Sequence, residues 1–370
     1  MPQTLIGRSV SHMESRYNMA NRCITSPDER KFEAFMEEQG VALQSVHWAA
    51  VKNNWERRLF ALENSQGTIV AGAMVLVKPL PMGYSMYYIP RGPIAAGQNQ
   101  ELMIELLNAI RQESRKDKCI FIKFDPYILD HRFMLKEGRP EGHNQKAVDR
   151  FEKETGAIHK GYTMSIAETV QPRTNMGVDV TDDFTARYAR NTRRAIKKAA
   201  KENLSAEIHT ASDIRSNPEI LDIFSELMHC TEDRKGVKLR DREYFQRIID
   251  SFDGAIISLC RTSDGTCISG ILSIGYNGKL EMLYMGNNNA YSKTGASAFL
   301  YDATYRYASE HGIRYCDMSG VEGSLEDGLS NHKHSLGADV REYIGEFDIP
   351  VKPLMYKMVL PVYEKKTGGA

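Results

Sequence analysis

Along this chain apolar positions either alternate with polar ones or recur at intervals of three and four, and the two periods divide it into short elements. Ser26-Pro27-Asp28 predicts a helix start, with a capping hydroxyl, proline at the first position and an acid in the first turn; the helix runs to Gly40. Strands are predicted over 58–63, 68–77 and 85–89. The first two are joined by a turn at Asn64-Ser65-Gln66-Gly67, and the third ends in Pro90-Arg91-Gly92-Pro93. Leu102, Ile104, Leu106, Leu107 and Ile110 mark one face of a helix, and Cys119 to Phe124 reads as a strand closing on Asp125-Pro126.

The same order returns in the second half. Strands are predicted over 255–261, 266–276, 280–285 and 314–317, with a turn at Ser263-Asp264-Gly265 and a helix over 298–310. GTIVAGAMVL (67–76) and GTCISGILSI (265–274) share Gly-Thr and the later glycine, which predicts two copies of one unit. Helix, antiparallel meander, helix, strand is the order of the acetyltransferase-type (GNAT-like) fold. The expected class is therefore α/β with mixed sheets, built as tandem GNAT-like domains. Residues 161–180 are expected to carry strands from one unit to the next. The polar, glycine-rich stretch Ser319 to Pro350 reads as a long loop, with Lys333 standing in it between His332 and His334.

A chain of 370 residues exceeds the usual size of a single core, in keeping with two domains. Lysine plus arginine equals aspartate plus glutamate, 48 each, so any nucleic-acid contact must come from a local patch. One such patch exists. From Arg187 to Lys201 there are Arg187, Arg190, Arg193, Arg194, Lys197, Lys198 and Lys201 and no acid, mostly on one helical face. A solvated face and an RNA-binding face both fit; the self-repulsion of the cluster favours a polyanionic partner. The six cysteines are scattered without metal spacing, as reduced core residues of a cytosolic protein, and no metal is expected. The N-terminal stretch has no apolar signal core, and the longest apolar run, near Ile69 to Val77, is too short to cross a bilayer. A cytoplasmic protein is expected, with contact to a membrane surface left open.

Several separated motifs then agree in order: Gln44-Ser45 with Trp48 and Lys52, Tyr88 to Pro93, Asp125-Pro126, Gln171-Pro172-Arg173, the basic run 193–201, Arg240 with Tyr244-Phe245, Tyr284-Met285-Gly286, Lys333, and Glu342 to Phe347. In this order, over about residues 28–363, the chain resembles the FemABX family of aminoacyltransferases, which build peptidoglycan interpeptide bridges from aminoacyl-tRNA. The resemblance implies a chain end that returns to the first domain: residues 16–165 plus 347–370 as the precursor-binding unit, and 166–346 as the aminoacyl-tRNA side. Only a short connection separates Tyr244-Phe245 from the strand at Ala255, and no heptads are sustained. The resemblance is therefore to armless, FemX-like members rather than to those with a coiled-coil arm.

The reaction implied is attack of a neutral amine on an aminoacyl ester, with an oxyanion to be stabilised. Lys333 falls where the family's transition-state lysine falls; His332 stands where the family usually has an aromatic residue, which would bring pH dependence near neutrality. Asp125 matches a carboxylate proposed to assist the amine, and a strand-end turn residue is the equal alternative. Lys52, Arg240, Tyr244 and Tyr284 match positions that hold the diphosphate and sugar-peptide precursor; for Lys52 a surface lysine beside a packed tryptophan is the simpler reading. Lys238 replaces a family threonine. Arg190, Arg193, Arg194, Lys197, Lys198 and Lys201 are expected on the tRNA. The partners implied are aminoacyl-tRNA as co-substrate and UDP-MurNAc-pentapeptide or lipid II as acceptor, with no cofactor and a monomeric enzyme. An acyl-CoA-dependent N-acyltransferase remains the alternative, although Ser292 to Ser297 lacks the full pyrophosphate loop. An RNA-binding protein without activity, and transfer to a protein N-terminus, also stay open.

Overall fold

The computed structural model describes residues 21–181, 183–235 and 239–367. The first half runs β1 (Arg22–Thr25), α1 (Glu29–Gln39), α2 (Val46–Val51), β2 (Glu56–Glu63), β3 (Ile69–Leu80), β4 (Tyr84–Ile89), β5 (Ile94–Ala95), α3 (Gln100–Ser114), β6 (Cys119–Phe124), β7 (Leu129–Phe133), α4 (Gln145–Thr155) and β8 (Ile158–His159). The second half runs β9 (Thr174–Asp179), α5 (Arg190–Lys201), β10 (Ser205–Thr210), α6 (Ala211–Ser216), α7 (Glu219–Lys235), α8 (Arg242–Ser251), β11 (Ala255–Arg261), β12 (Cys267–Tyr276), β13 (Lys279–Asn287) and α9 (Ala296–Glu310). It closes with β14 (Tyr315–Gly320), α10 (Gly328–Ser335), β15 (Asp339–Tyr343), β16 (Phe347–Pro350) and α11 (Pro353–Thr367).

Among the described residues these strands form two eight-stranded sheets. One has the order β1-β2-β3-β4-β6-β16-β8 with β5 beside β3; the other has the order β10-β11-β12-β13-β14-β9-β15-β7. Each is antiparallel except for one parallel pair, β4 with β6 and β13 with β14. A crossover helix, α3 or α9, supplies the connection such a pair requires.

The internal echo has a packing cause. In both hairpins a side-chain oxygen of the turn gathers backbone N–H groups: Asn64 Oδ1 accepts from Gln66 and Thr68, and Asp264 Oδ1 accepts from Thr266. The shared later glycine lets a helix lie close on the sheet. A Cβ on Gly72 would meet Met36 of α1 at 2.8 Å, and one on Gly270 would meet Leu227 and Phe224 of α7 at 3.1 Å. The helix start at 26–28 is shifted by one role: Asp28, not Ser26, is the cap, accepting from Lys31 N–H, and α1 begins at Glu29.

Two expectations need correction. Residues 161–180 hold a single six-residue strand, β9, with a short turn before it. Residues 319–350 are not a loop: they contain α10, capped by Asp327 through Leu329 and Ser330 N–H, followed by β15 and β16. The chain crosses between sheets in both directions here. β15 joins the second sheet, β16 enters the first between β6 and β8, and β7 leaves the first half to pair with β15.

Candidate functional site

Lys52, at the end of α2, comes from the first half; Arg240, Tyr244 on α8 and Tyr284 on β13 come from the second. The fold brings all four together. Lys52 Nζ lies 3.2 Å from the Tyr244 hydroxyl, and 5.0 and 5.1 Å from the centres of the Trp48 and Tyr244 rings. The Arg240 guanidinium lies 5.2 Å from the Tyr244 ring, which meets Tyr284 edge-on at 6.1 Å. Trp48 is buried, yet Lys52 is no incidental surface lysine beside it. Burial first, then Arg240 and Arg247, pull its pKa down to about 8. Arg247, which sequence reasoning missed, lies 5.6 Å from the Tyr244 ring and donates to the Val51 carbonyl at 3.2 Å, tying α8 to the end of α2. Three cations thus converge on one half-open aromatic surface, a geometry suited to a multiply charged anion. Lys238 lies outside the described residues.

A bulge places Tyr284 here. Leu272 pairs with Tyr284 and Ser273 with Met282, so Leu283 is an extra residue in β13. The insertion turns Tyr284 onto the face that already carries Lys279 and Glu281, which looks towards the first sheet.

Asp125 ends β6 and is 2% exposed. Its Oδ1 accepts from the Tyr88 hydroxyl at 3.0 Å and from Arg91 N–H at 3.1 Å; its Oδ2 lies 3.6 Å from Arg91 Nη1. Arg91 in turn donates to the Pro172 carbonyl at 2.7 Å and stacks on Tyr343 at 4.5 Å. Burial pushes Asp125 up to about 7 against the pull of Arg91, and Glu346 adds to the rise. The residue is far more than a turn former: it is a carboxyl group that changes charge near neutrality.

Lys333, on α10, is 3% exposed, and its Nζ donates to the carbonyls of Ser319 (3.0 Å) and Gly320 (2.9 Å) at the end of β14. Gly320 packs on Pro172, where a Cβ would come within 2.4 Å. Contacts therefore run from Lys333 through Gly320 and Pro172 to Arg91 and Asp125. His332 turns away from this path. Its Nε2 is 3.3 Å from Ser297 Oγ and its ring 5.9 Å from Tyr301, both on α9. Burial, then Lys333, hold its pKa below the ordinary value, so the imidazole is neutral at pH 7 and the pH dependence expected of it moves to lower pH.

The basic run is a helix, α5, with Arg190, Arg193, Arg194, Lys197, Lys198 and Lys201 exposed and Thr192 and Ala199 buried. Lys198 donates to the Lys293 carbonyl at 2.6 Å, and a Cβ on Gly295 would meet the Ala195 carbonyl at 2.5 Å. The start of α9, where an acyl-CoA enzyme would bind pyrophosphate, is packed against α5. Other motif residues hold the frame. Gln44 bonds Met74 and Pro90; Arg173 is buried against Asp130 and Glu342; Glu346 pairs with Lys123 and accepts from Val170 N–H.

Residues 27–263 and 259–364 match the FemAB family. The chain belongs to the FemAB family. It is 26% identical over 341 residues to the UDP-N-acetylmuramoylpentapeptide-lysine N(6)-alanyltransferase of Weissella viridescens, covering 88% of this chain and 94% of that one. It is 25% identical over 404 positions to the lipid II:glycine glycyltransferase of Staphylococcus saprophyticus, covering 89% and 92%. An alignment of 404 positions against 370 residues means that the staphylococcal relative carries segments this FemAB protein lacks. Here α8 and β11 are only three residues apart. The crystal structure of FemX matches with a TM-score of 0.78 at 21% identity, covering 91% of this chain and 99% of that one. A tandem GNAT protein of clavulanic acid biosynthesis matches with a TM-score of 0.52 at 12% identity, covering 90% and 99%. The tandem GNAT-like architecture expected from the repeated element order is the architecture found.

Proposed function

We propose that this FemAB protein transfers an amino acid from aminoacyl-tRNA to the stem-peptide amine of a peptidoglycan precursor, building the interpeptide bridge. The observation that carries the reading is the cluster of Lys52, Arg240, Tyr244 and Tyr284, assembled from both halves. UDP-MurNAc-pentapeptide and lipid II, the acceptors in the names of the two relatives, share a diphosphate beside a sugar, and three cations on an aromatic surface suit that group. The three-residue connection between α8 and β11 favours the soluble, UDP-linked acceptor.

The chemistry asks little of a nucleophilic residue, because the ester is already activated. The acceptor amine loses a proton and attacks the ester carbonyl. A C–N bond forms, the C–O bond to the tRNA ribose breaks, and the ribose oxygen takes up a proton. The Lys333 ammonium stabilises the oxyanion of the intermediate, and Asp125, held near neutral pKa, is suited to receive the amine's proton. The exposed face of α5, with Arg190, Arg193, Arg194, Lys197, Lys198 and Lys201, takes the tRNA phosphates. On this reading residues 16–165 with 347–370 serve the precursor and 166–346 the aminoacyl-tRNA. The enzyme acts as a cytoplasmic monomer without a cofactor; among the described residues no helix is long and apolar enough to cross a membrane.

The test is a mass-spectrometric assay with charged total tRNA and UDP-MurNAc-pentapeptide, lipid II in a second arm and acetyl-CoA alone in a third. A mass increment of one amino acid, lost in Lys333→Met, supports the proposal. Acetylation in the third arm, with no increment in the other two, overturns it.

A further inference from the structure

Glu281 on β13 and Asp317 on β14 are register partners in a parallel pair, so two carboxylates stand side by side on adjacent strands. Like charges in that position oppose sheet formation. Glu281, Asp317 and Asp125 are faced by Arg91 and Lys279, and Lys279 lies 4.5 Å from the centre of the Tyr127 ring. The other groups facing Glu281 are the phenols of Tyr127 and Tyr276 and the Ala42 backbone N–H, which donates to it. Arg341 also faces Lys279, and Glu346 also faces Asp125.

A second observation points to a donor. Asn175, 8% exposed, donates its Nδ2 to both oxygens of Asp317 at 3.2 and 3.3 Å, which fixes its Oδ1 next to that carboxylate. That Oδ1 has no hydrogen-bond partner among the described residues, and neither does Asp125 Oδ2. The amide oxygen is an acceptor only, so its missing partner is a donor. A positively charged group with several N–H donors would satisfy the Asn175 oxygen and relieve the repulsion of the acid pair.

We infer that Glu281, Asp317 and Asn175 form a pocket for the primary ammonium group of a substrate. The inference rests on the proposed transfer, which handles two such groups: the side-chain amine of the acceptor and the α-amine of the aminoacyl donor. Glu281 lies on the face of β13 that also carries Tyr284. An amine held there would lie between the cation cluster and Asp125. Glu281 and Asp317 are positioning residues that collect the ammonium before it gives up its proton.

The experiment measures KM for both co-substrates in wild type, Glu281→Gln and Asp317→Asn, together with Tm at pH 8 with and without 1,5-diaminopentane. A rise of about tenfold in the acceptor KM assigns the pocket to the acceptor amine; the same rise in the donor KM assigns it to the α-amine. Glu281→Gln is also expected to raise Tm, because the like-charge pair is relieved, whereas a residue kept for structure would lower it. Unchanged KM values for both co-substrates overturn the inference. Should the wild type transfer nothing, the functional reading fails by itself. The pocket is then judged by the diamine alone: a Tm rise in wild type that is lost in Glu281→Gln supports it, and equal shifts overturn it.

Discussion

The structure holds two clusters of like charge in opposite ways. Lys52, Arg240 and Arg247 are half open to solvent and lean on aromatic rings, with no carboxylate among them. Asp125 and Asp317 are buried and Glu281 half-buried, and the three share Arg91 and Lys279. In both, desolvation moves a pKa towards neutrality: Lys52 down to about 8, Asp125 and Glu281 up to about 7. The cationic side holds its charges apart with π faces and suits a bulky anion. The anionic side relies on buried counter-charges and would lose its frame without them.

Removal of Arg91 should therefore have the largest effect. Arg91→Met leaves Asp125 without its cation, and breaking such a buried pair costs about 3–5 kcal/mol in denaturant unfolding. Lys52→Met gives up its contacts with Tyr244 and Trp48 but relieves the repulsion of Arg240 and Arg247, and should leave stability within about 1 kcal/mol of wild type. Equal losses in the two variants would erase the distinction between the clusters. Next in size, Arg240→Ala should raise the acceptor KM at least about tenfold with kcat little changed, as steady-state kinetics would show. A fall in kcat with KM constant would move Arg240 out of acceptor binding.

The smallest effects are those of pH. Lys52 loses its charge above about pH 8, so the acceptor KM should climb there, and Lys52→Arg, charged throughout, should flatten that limb. Glu281 has the opposite sign. Its folded pKa is raised, so the folded state keeps the proton longer than the unfolded chain, and stability falls as pH rises from the ordinary carboxylate range to about 7. The Tm gain of Glu281→Gln should thus be absent near pH 4 and complete above pH 7. A gain independent of pH would mean that ionisation of Glu281 costs the fold nothing.

What could be read in advance follows the physics of each element. The hairpins at 64–68 and 262–266 announced themselves through Asn64, Asp264 and the glycines beside them, because turn chemistry is local. Lys52, Arg240, Tyr244 and Tyr284 were legible as a group only through family resemblance, since nearly two hundred residues separate Lys52 from Tyr244. α10 was hidden. Gly328 to Ser335 has no apolar period, and its buried positions are Ser330 and Lys333, a hydroxyl and an amine that bond to Asp327 and to the end of β14. Glu281 and Asp317 did leave a signal, a single acid inside each of the apolar runs KLEMLYM and YCDM. Only the register of two strands far apart in sequence shows that those acids meet.

The crossing at Ile344 to Glu346 also sets the order in which the molecule can be finished. Among the described residues β8 is paired only with β16, and β7 only with β15. Two strands made early in synthesis thus wait about two hundred residues for their partners. The first sheet cannot close while the second is still being made, and the late segment Asp339 to Pro350 completes both at once. A ribosome-bound chain halted before that segment would hold two open sheet edges, the state most exposed to mispairing and to chaperones.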